Sequence, residues 1–134
     1  MKISSKGRYA VRVMAELARN KNDFVSVAYL SEKQEISVKY LEKILSLLVK
    51  ANLIESLRGV QGGYKLNREP KDYSVAEILK VTDDLPKLVP CINSKSPCPM
   101  ASKCDSISCW EHLSMLITNY LSQVTLEDLL NKKV

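Results

Sequence analysis

Two serine-led apolar stripes, followed at once by a glycine-rich turn between two short apolar runs, constrain this chain more than any other feature. Ser26 precedes VAYLSEKQ, in which Val27 and Leu30 face one side. Ser37 precedes VKYLEKILSLLVKAN, in which Val38, Leu41, Ile44, Leu45 and Leu48 recur at helical spacing and predict a buried face. A serine at each head supplies an oxygen for the free N–H groups of a first helical turn. Gln34-Glu35-Ile36 makes a brief turn from the first segment to the second. Asn52 ends the second helix. Leu53–Leu57 and Tyr64–Leu66 then read as short strands joined by Arg58-Gly59-Val60-Gln61-Gly62-Gly63, a β-hairpin.

The flanks extend this pattern. From Tyr9 to Ala18, the residues Ala10, Val13, Met14, Leu17 and Ala18 form an apolar stripe with Arg8, Arg12 and Arg19 off it, and Ser5 is the expected N-cap. Ser74-Val75-Ala76-Glu77 matches a capping box opening a helix to about Val81. Residues 82–90 carry prolines and aspartates and read as a linker. Residues 91–105 have no periodicity and read as a loop. A long helix is expected from about Ser106, with Ile107, Trp110, Leu113, Ile117, Tyr120, Leu121 and Val124 spaced as a helix–helix seam. Thr125-Leu126-Glu127-Asp128 caps a last short helix. The predicted class is mostly α with a small β-hairpin. Residues 1–82 form one unit, 83–105 a linker and cysteine-rich loop, and 106–134 a terminal helical segment.

Charge divides the chain in the same place. Residues 1–68 hold thirteen Lys and Arg against six Asp and Glu, whereas residues 69–134 hold seven against nine. A basic front half suits a polyanion, and a merely solvated basic surface explains the charge equally well. No run approaches the roughly 20 apolar residues of a membrane span. MKISSKGRYA contains no apolar signal core, so a cytoplasmic protein without membrane partners is expected. Enzymatic chemistry finds no support. His112 is the sole histidine, and the glycine turn lacks the Gly-Lys-Ser/Thr of a phosphate loop. Asp83-Asp84 read as turn residues.

Helix, short helix, turn, helix and hairpin make the order of a winged helix-turn-helix. The second helix of such a pair offers its N-terminal residues to base edges in the DNA major groove. Here these are Ser37, Lys39, Tyr40, Glu42 and Lys43. Ser37, Tyr40 and Glu42 can hydrogen-bond, and the lysines can meet phosphate or guanine. The hairpin tip adds Arg58, Gly59 and Gln61. An arginine there can enter a minor groove, and the glycines permit close approach. Taken alone, the tip is an ordinary turn with a solvated arginine; its place after a basic helix-turn-helix favours the wing.

All four cysteines, Cys91, Cys98, Cys104 and Cys109, fall in one segment. Tight C-x2-C zinc pairs are absent. Iron–sulfur clusters tolerate looser thiolate loops, and Lys95 and Lys103 would favour thiolates. On spacing, a metal or cluster site, a thiol–disulfide switch and inert thiols all remain open.

ISSKGRYAV, ISVKYLEKIL, LRGVQGGYKL, the cysteine loop and VTLEDLL together, in this order and over nearly the whole chain, resemble the IscR/NsrR/CymR family of bacterial repressors and activators. The resemblance implies a homodimeric transcriptional regulator on palindromic operators, with a long C-terminal helix crossing its partner's. It implies a 2Fe–2S cluster on Cys91, Cys98 and Cys104, with a one-residue shift at the first. Ile107 stands where some members have a ligating histidine, and Arg8 where others have an acidic ligand, which an arginine cannot replace. The fourth ligand would then be Cys109, His112 or a residue of the partner subunit.

Overall fold

The computed structural model describes residues 2–85, 87–92 and 98–134; Lys95 lies outside them. It holds six α-helices: α1 (Ser5–Arg19), α2 (Val27–Gln34), α3 (Val38–Lys50), α4 (Val75–Val81), α5 (Ile107–Gln123) and α6 (Leu126–Leu130). Strands β1 (Ile54–Leu57) and β2 (Gly63–Leu66) lie between α3 and α4 and pair antiparallel, Ile54 opposite Leu66 and Leu57 opposite Gly63. This is the mostly helical, winged helix-turn-helix class expected.

The serine caps act as the sequence indicates. Ser26 accepts from the Tyr29 N–H at 3.1 Å, and Ser37 from the Tyr40 N–H at 3.2 Å. The turn between α2 and α3 passes through Glu35, which is left-handed at φ 53°, and α3 stops at Asn52, left-handed at φ 58°. Asparagine tolerates that conformation better than most side chains. The cap of helix α1 departs from expectation by one residue. The helix starts at Ser5 and is capped by Ser4, whose extended backbone lets its hydroxyl accept from the Gly7 N–H at 3.0 Å. The box at α4 is half made: Ser74 caps the Glu77 N–H, but the Glu77 carboxylate is drawn to Arg68 at 2.6 Å. At α6 both halves form, between Thr125 and Asp128.

One core gathers the apolar faces of α1, α2 and α3 with Leu53, Ile54, Leu66, Tyr73, Ile78 and Leu126. Leu41, Ile44, Leu45 and Leu48 of α3 are fully buried, whereas Val38, expected inside, is 41% exposed because it stands in the first turn, ahead of the packed face. Tyr73 ties the base of the hairpin to α4. Its hydroxyl donates to the Leu53 carbonyl at 2.7 Å and accepts from the N–H groups of Asn67 and Arg68. Val25 pairs with Tyr64 through two backbone bonds of 2.8 Å, adding a third rung beside β2. Gly63 makes that approach possible, since a Cβ there would lie 2.3 Å from the Val25 carbonyl oxygen.

Helix α5 differs from the rest in having no buried residue. The expected seam divides. Val124, just past the helix, packs with Val75 and Leu79, and Leu121 leans on them. Trp110, Leu113 and Tyr120 stay exposed, joined by Met115 and Leu116, which the expected seam omits. Packing of α4 against one side of α5 draws the C-terminal part inward and leaves the remaining apolar surface outside.

Candidate nucleic-acid interface and cysteine loop

The α3 N-terminus projects a polar surface. Ser37, Lys39, Glu42 and Lys43 are exposed, while Tyr40 is half-buried. The Tyr40 ring meets Tyr9 of α1 edge-on, with centroids 5.8 Å apart, and the Arg12 guanidinium lies 5.3 Å from the Tyr9 ring centroid. Arg12 also donates to the Gln34 side chain at 3.0 Å and to the Gln34 backbone carbonyl. The first helix, the turn and the second helix are thus tied together by side chains. Beneath them, buried Glu16 accepts from Arg19 at 2.7 Å and from Gln34 at 3.1 Å.

The hairpin tip leaves Arg58, Gly59 and Gln61 exposed and is closed by a Gly62 N–H donating to the Gly59 carbonyl at 3.0 Å. Gly59 has φ 118°, a conformation L side chains rarely adopt. Ion pairs among the described residues join Arg19 to Glu16, Lys21 to Glu69, Arg68 to Glu77 and Lys87 to Asp83. Lys39, Lys43 and Arg58 take part in none of these, so their charges face solvent. All eight residues expected at a DNA surface lie on two elements, the head of α3 and the hairpin tip.

One contact was invisible to spacing. Asp84, expected to be a turn residue, accepts from the Ser4 N–H at 3.0 Å and from the Ser4 hydroxyl at 2.7 Å. Burial by itself would raise its carboxyl, but hydrogen bonds from Ser4 and Thr82 and the nearby Lys6 charge together hold it below the usual carboxylate value. The start of α1 is thereby fastened to the chain just before the cysteine-bearing segment.

The four cysteines are free thiols. Cys91 and Cys104 are half-buried, and Cys98 and Cys109 are exposed. Among the described residues, no three His, Cys, Asp or Glu side chains are gathered as metal ligands would be. The Cys104 thiol lies 3.3 Å from the Ser106 hydroxyl. That hydroxyl, with the Ser106 and Ile107 N–H groups, pulls the thiol below its usual value. Ser106 accepts from the Trp110 indole at 3.2 Å and provides no side-chain cap for α5. Cys109 lies in the first turn of α5, and helical spacing places it in line with exposed Leu113, Leu116 and Tyr120. His112 is exposed on the same helix, and exposed Arg8 donates to the Ser5 hydroxyl at 3.1 Å. The donor chemistry suits a thiolate-bound cluster, although no three of these donors gather among the described residues.

Comparison with known proteins agrees with this architecture. The model of the Rrf2 family, described as an iron-dependent transcriptional regulator, matches residues 3–132. The transcriptional regulator IscR of Vibrio atlanticus is 37% identical over 131 residues, covering 97% of this chain and 75% of that protein. The structure of T. potens IscR superposes with a TM-score of 0.75 at 35% identity, covering 100% of this chain and 89% of that one. That of CymR, the global cysteine regulator of B. subtilis, gives 0.78 at 31% identity, covering 96% and 95%.

Proposed function

This chain belongs to the Rrf2 family of transcriptional regulators, which are not enzymes, and from that premise we propose that it acts as a homodimer on palindromic operators and senses cluster or thiol status through its cysteine segment. The exposed cationic surface at the head of α3, whose lysines join no ion pair among the described residues, carries the DNA reading. Lys39 and Lys43, one turn apart, meet phosphate or guanine. Glu42 accepts from base amino groups, and Tyr40, braced on Tyr9, presents a fixed hydroxyl. Arg58 enters the flanking minor groove on a tip that Gly59 lets bend. Operator selection with purified protein tests the reading. Arg58→Ala should then weaken the selected site by ~1–3 kcal/mol, and unchanged affinity would favour a protein-interaction module instead.

The exposed apolar stripe of α5 supports the homodimer, because Leu113, Leu116 and Tyr120 are left uncovered by the described residues. The family likeness supports a 2Fe–2S cluster held by Cys91, Cys98 and Cys104, with Cys109, His112 or a partner-subunit residue as the fourth ligand. A bound cluster would supply a redox- and iron-sensitive link among these thiolates. The chain's own part is to favour ionisation of Cys104 through the Ser106 contact and to join the segment, by way of Asp84, to the start of α1. The protein is purified without oxygen and its iron and visible spectrum are measured. Iron-linked absorption lost in Cys98→Ala and Cys104→Ala supports the cluster.

Four free thiols, with Cys98 and Cys109 exposed, favour one second reading, a cluster-free regulator working by thiol–disulfide exchange. Iron-free protein whose operator affinity changes on mild oxidation, and recovers on reduction, would establish it. A cytoplasmic setting, kept reducing, suits either chemistry.

A further inference from the structure

Beside the α3 surface runs an open groove of about 540 Å³, lined by Lys39, Glu42, Lys43, Ser46 and Leu47 of α3 and by Lys6 of α1. We infer that Lys6 is a DNA-contacting residue, closing a three-lysine cradle for the phosphate backbone that flanks the base-reading edge of α3. The inference rests on α3 being the recognition helix. When such a helix lies in the major groove, the sugar–phosphate backbone runs along its flanks, so a cation on α1 beside α3 faces phosphates. Three lysines against one glutamate give the groove an excess of positive charge, and none of the three lysines is in an ion pair among the described residues. Glu42 sits between Lys39 and Lys43 in sequence, keeping phosphate to the lysine positions and leaving its own carboxylate for base amino groups.

Lys6 is also held in place. The Ser4 cap and the two Ser4–Asp84 hydrogen bonds fix the helix start on one side of it. On the other, Gly7 packs so tightly that an added Cβ would lie 2.4 Å from the Asp84 carboxylate. With the backbone anchored, half-buried Lys6 lines the groove together with Leu47. Asp84 offsets part of the Lys6 charge in the free protein, and a phosphate approaching the groove meets the remainder.

Salt-dependent binding to a mixed-sequence DNA duplex tests this, with Lys80→Gln on the exposed side of α4 as the control for loss of one charge elsewhere. Lys6→Gln should reduce the slope of log affinity against log salt by about 0.9 and weaken binding roughly five- to tenfold near 0.1 M salt, with Lys80→Gln close to wild type. Lys6→Arg should retain the wild-type slope, which separates lost contact from damaged folding. Lys6→Gln indistinguishable from Lys80→Gln, while Lys39→Gln and Lys43→Gln lower the slope, would overturn the role of Lys6 alone. Lys39→Gln, Lys43→Gln and Arg58→Ala all without effect would overturn the recognition-helix reading as well.

Discussion

Helices α3 and α5 carry comparable apolar content but meet opposite fates. Four of the α3 side chains, Leu41, Ile44, Leu45 and Leu48, are fully buried, whereas α5 buries none of its 17 residues. The serine at the head of α3 caps it; the serine before α5 does not, its hydroxyl engaged instead with Trp110 and Cys104. An apolar stripe covered within the chain stabilises the fold. One left open and uncapped beside the cysteines suits a helix completed by something outside the chain, a second copy in the present reading.

The largest test of that contrast is Leu45→Ala. Loss of a fully buried leucine from the winged core should lower unfolding free energy by about 2–5 kcal/mol in urea titration. Leu116→Asp, on α5, should instead weaken self-association by more than ~2 kcal/mol in sedimentation while folding is retained. If Leu116→Asp unfolds the chain and leaves association intact, the two helices do not differ as described. Tyr73→Phe removes a hydroxyl that joins Leu53, Asn67 and Arg68, and should cost about 1–3 kcal/mol. Thr125→Ala, at the α6 cap that holds the C-terminal segment to the core, should cost around 1 kcal/mol by thermal melting.

The smallest effect concerns pH. Asp84 is held below its usual value as described, and Asp128 is held below by its hydrogen bonds to Thr125. A carboxyl depressed in the folded state adds stability above its unfolded value of about 3.9, and that stability is lost as pH falls through the folded value. Melting temperature should therefore be flat on this account from neutrality to about pH 5 and fall below about pH 4. The fall should be shallower in Asp84→Asn with Asp128→Asn. An identical acid profile in that variant would remove both carboxyls from the account.

Much of the chain was legible from local rules. Ser26, Ser37 and Thr125 mark helix starts because a cap is satisfied within one turn, and the Arg58–Gly63 turn follows from glycine's backbone freedom. Ser4 and Ser5 are adjacent and equally able to cap, and the tertiary partner Asp84 goes with Ser4. Glu77 fits a capping box by spacing, yet Arg68 lies nearer. The DNA-facing residues of α3 were readable because their helix has one apolar side. Lys6 was not, since its neighbourhood with Lys39 and Lys43 depends on how α1 crosses α3.

By itself, the sequence determined the elements and their order, the polar head of α3, the glycine tip and the clustering of cysteines along the chain. Periodicity, caps and turn chemistry act over a few residues, and each is written where it acts. Only the tertiary structure decided which apolar stripe is covered, that Val124 and Leu126 return to the core, and that Asp84 fastens α1. Those outcomes depend on distances between segments remote in the chain, and packing, rather than local preference, sets them.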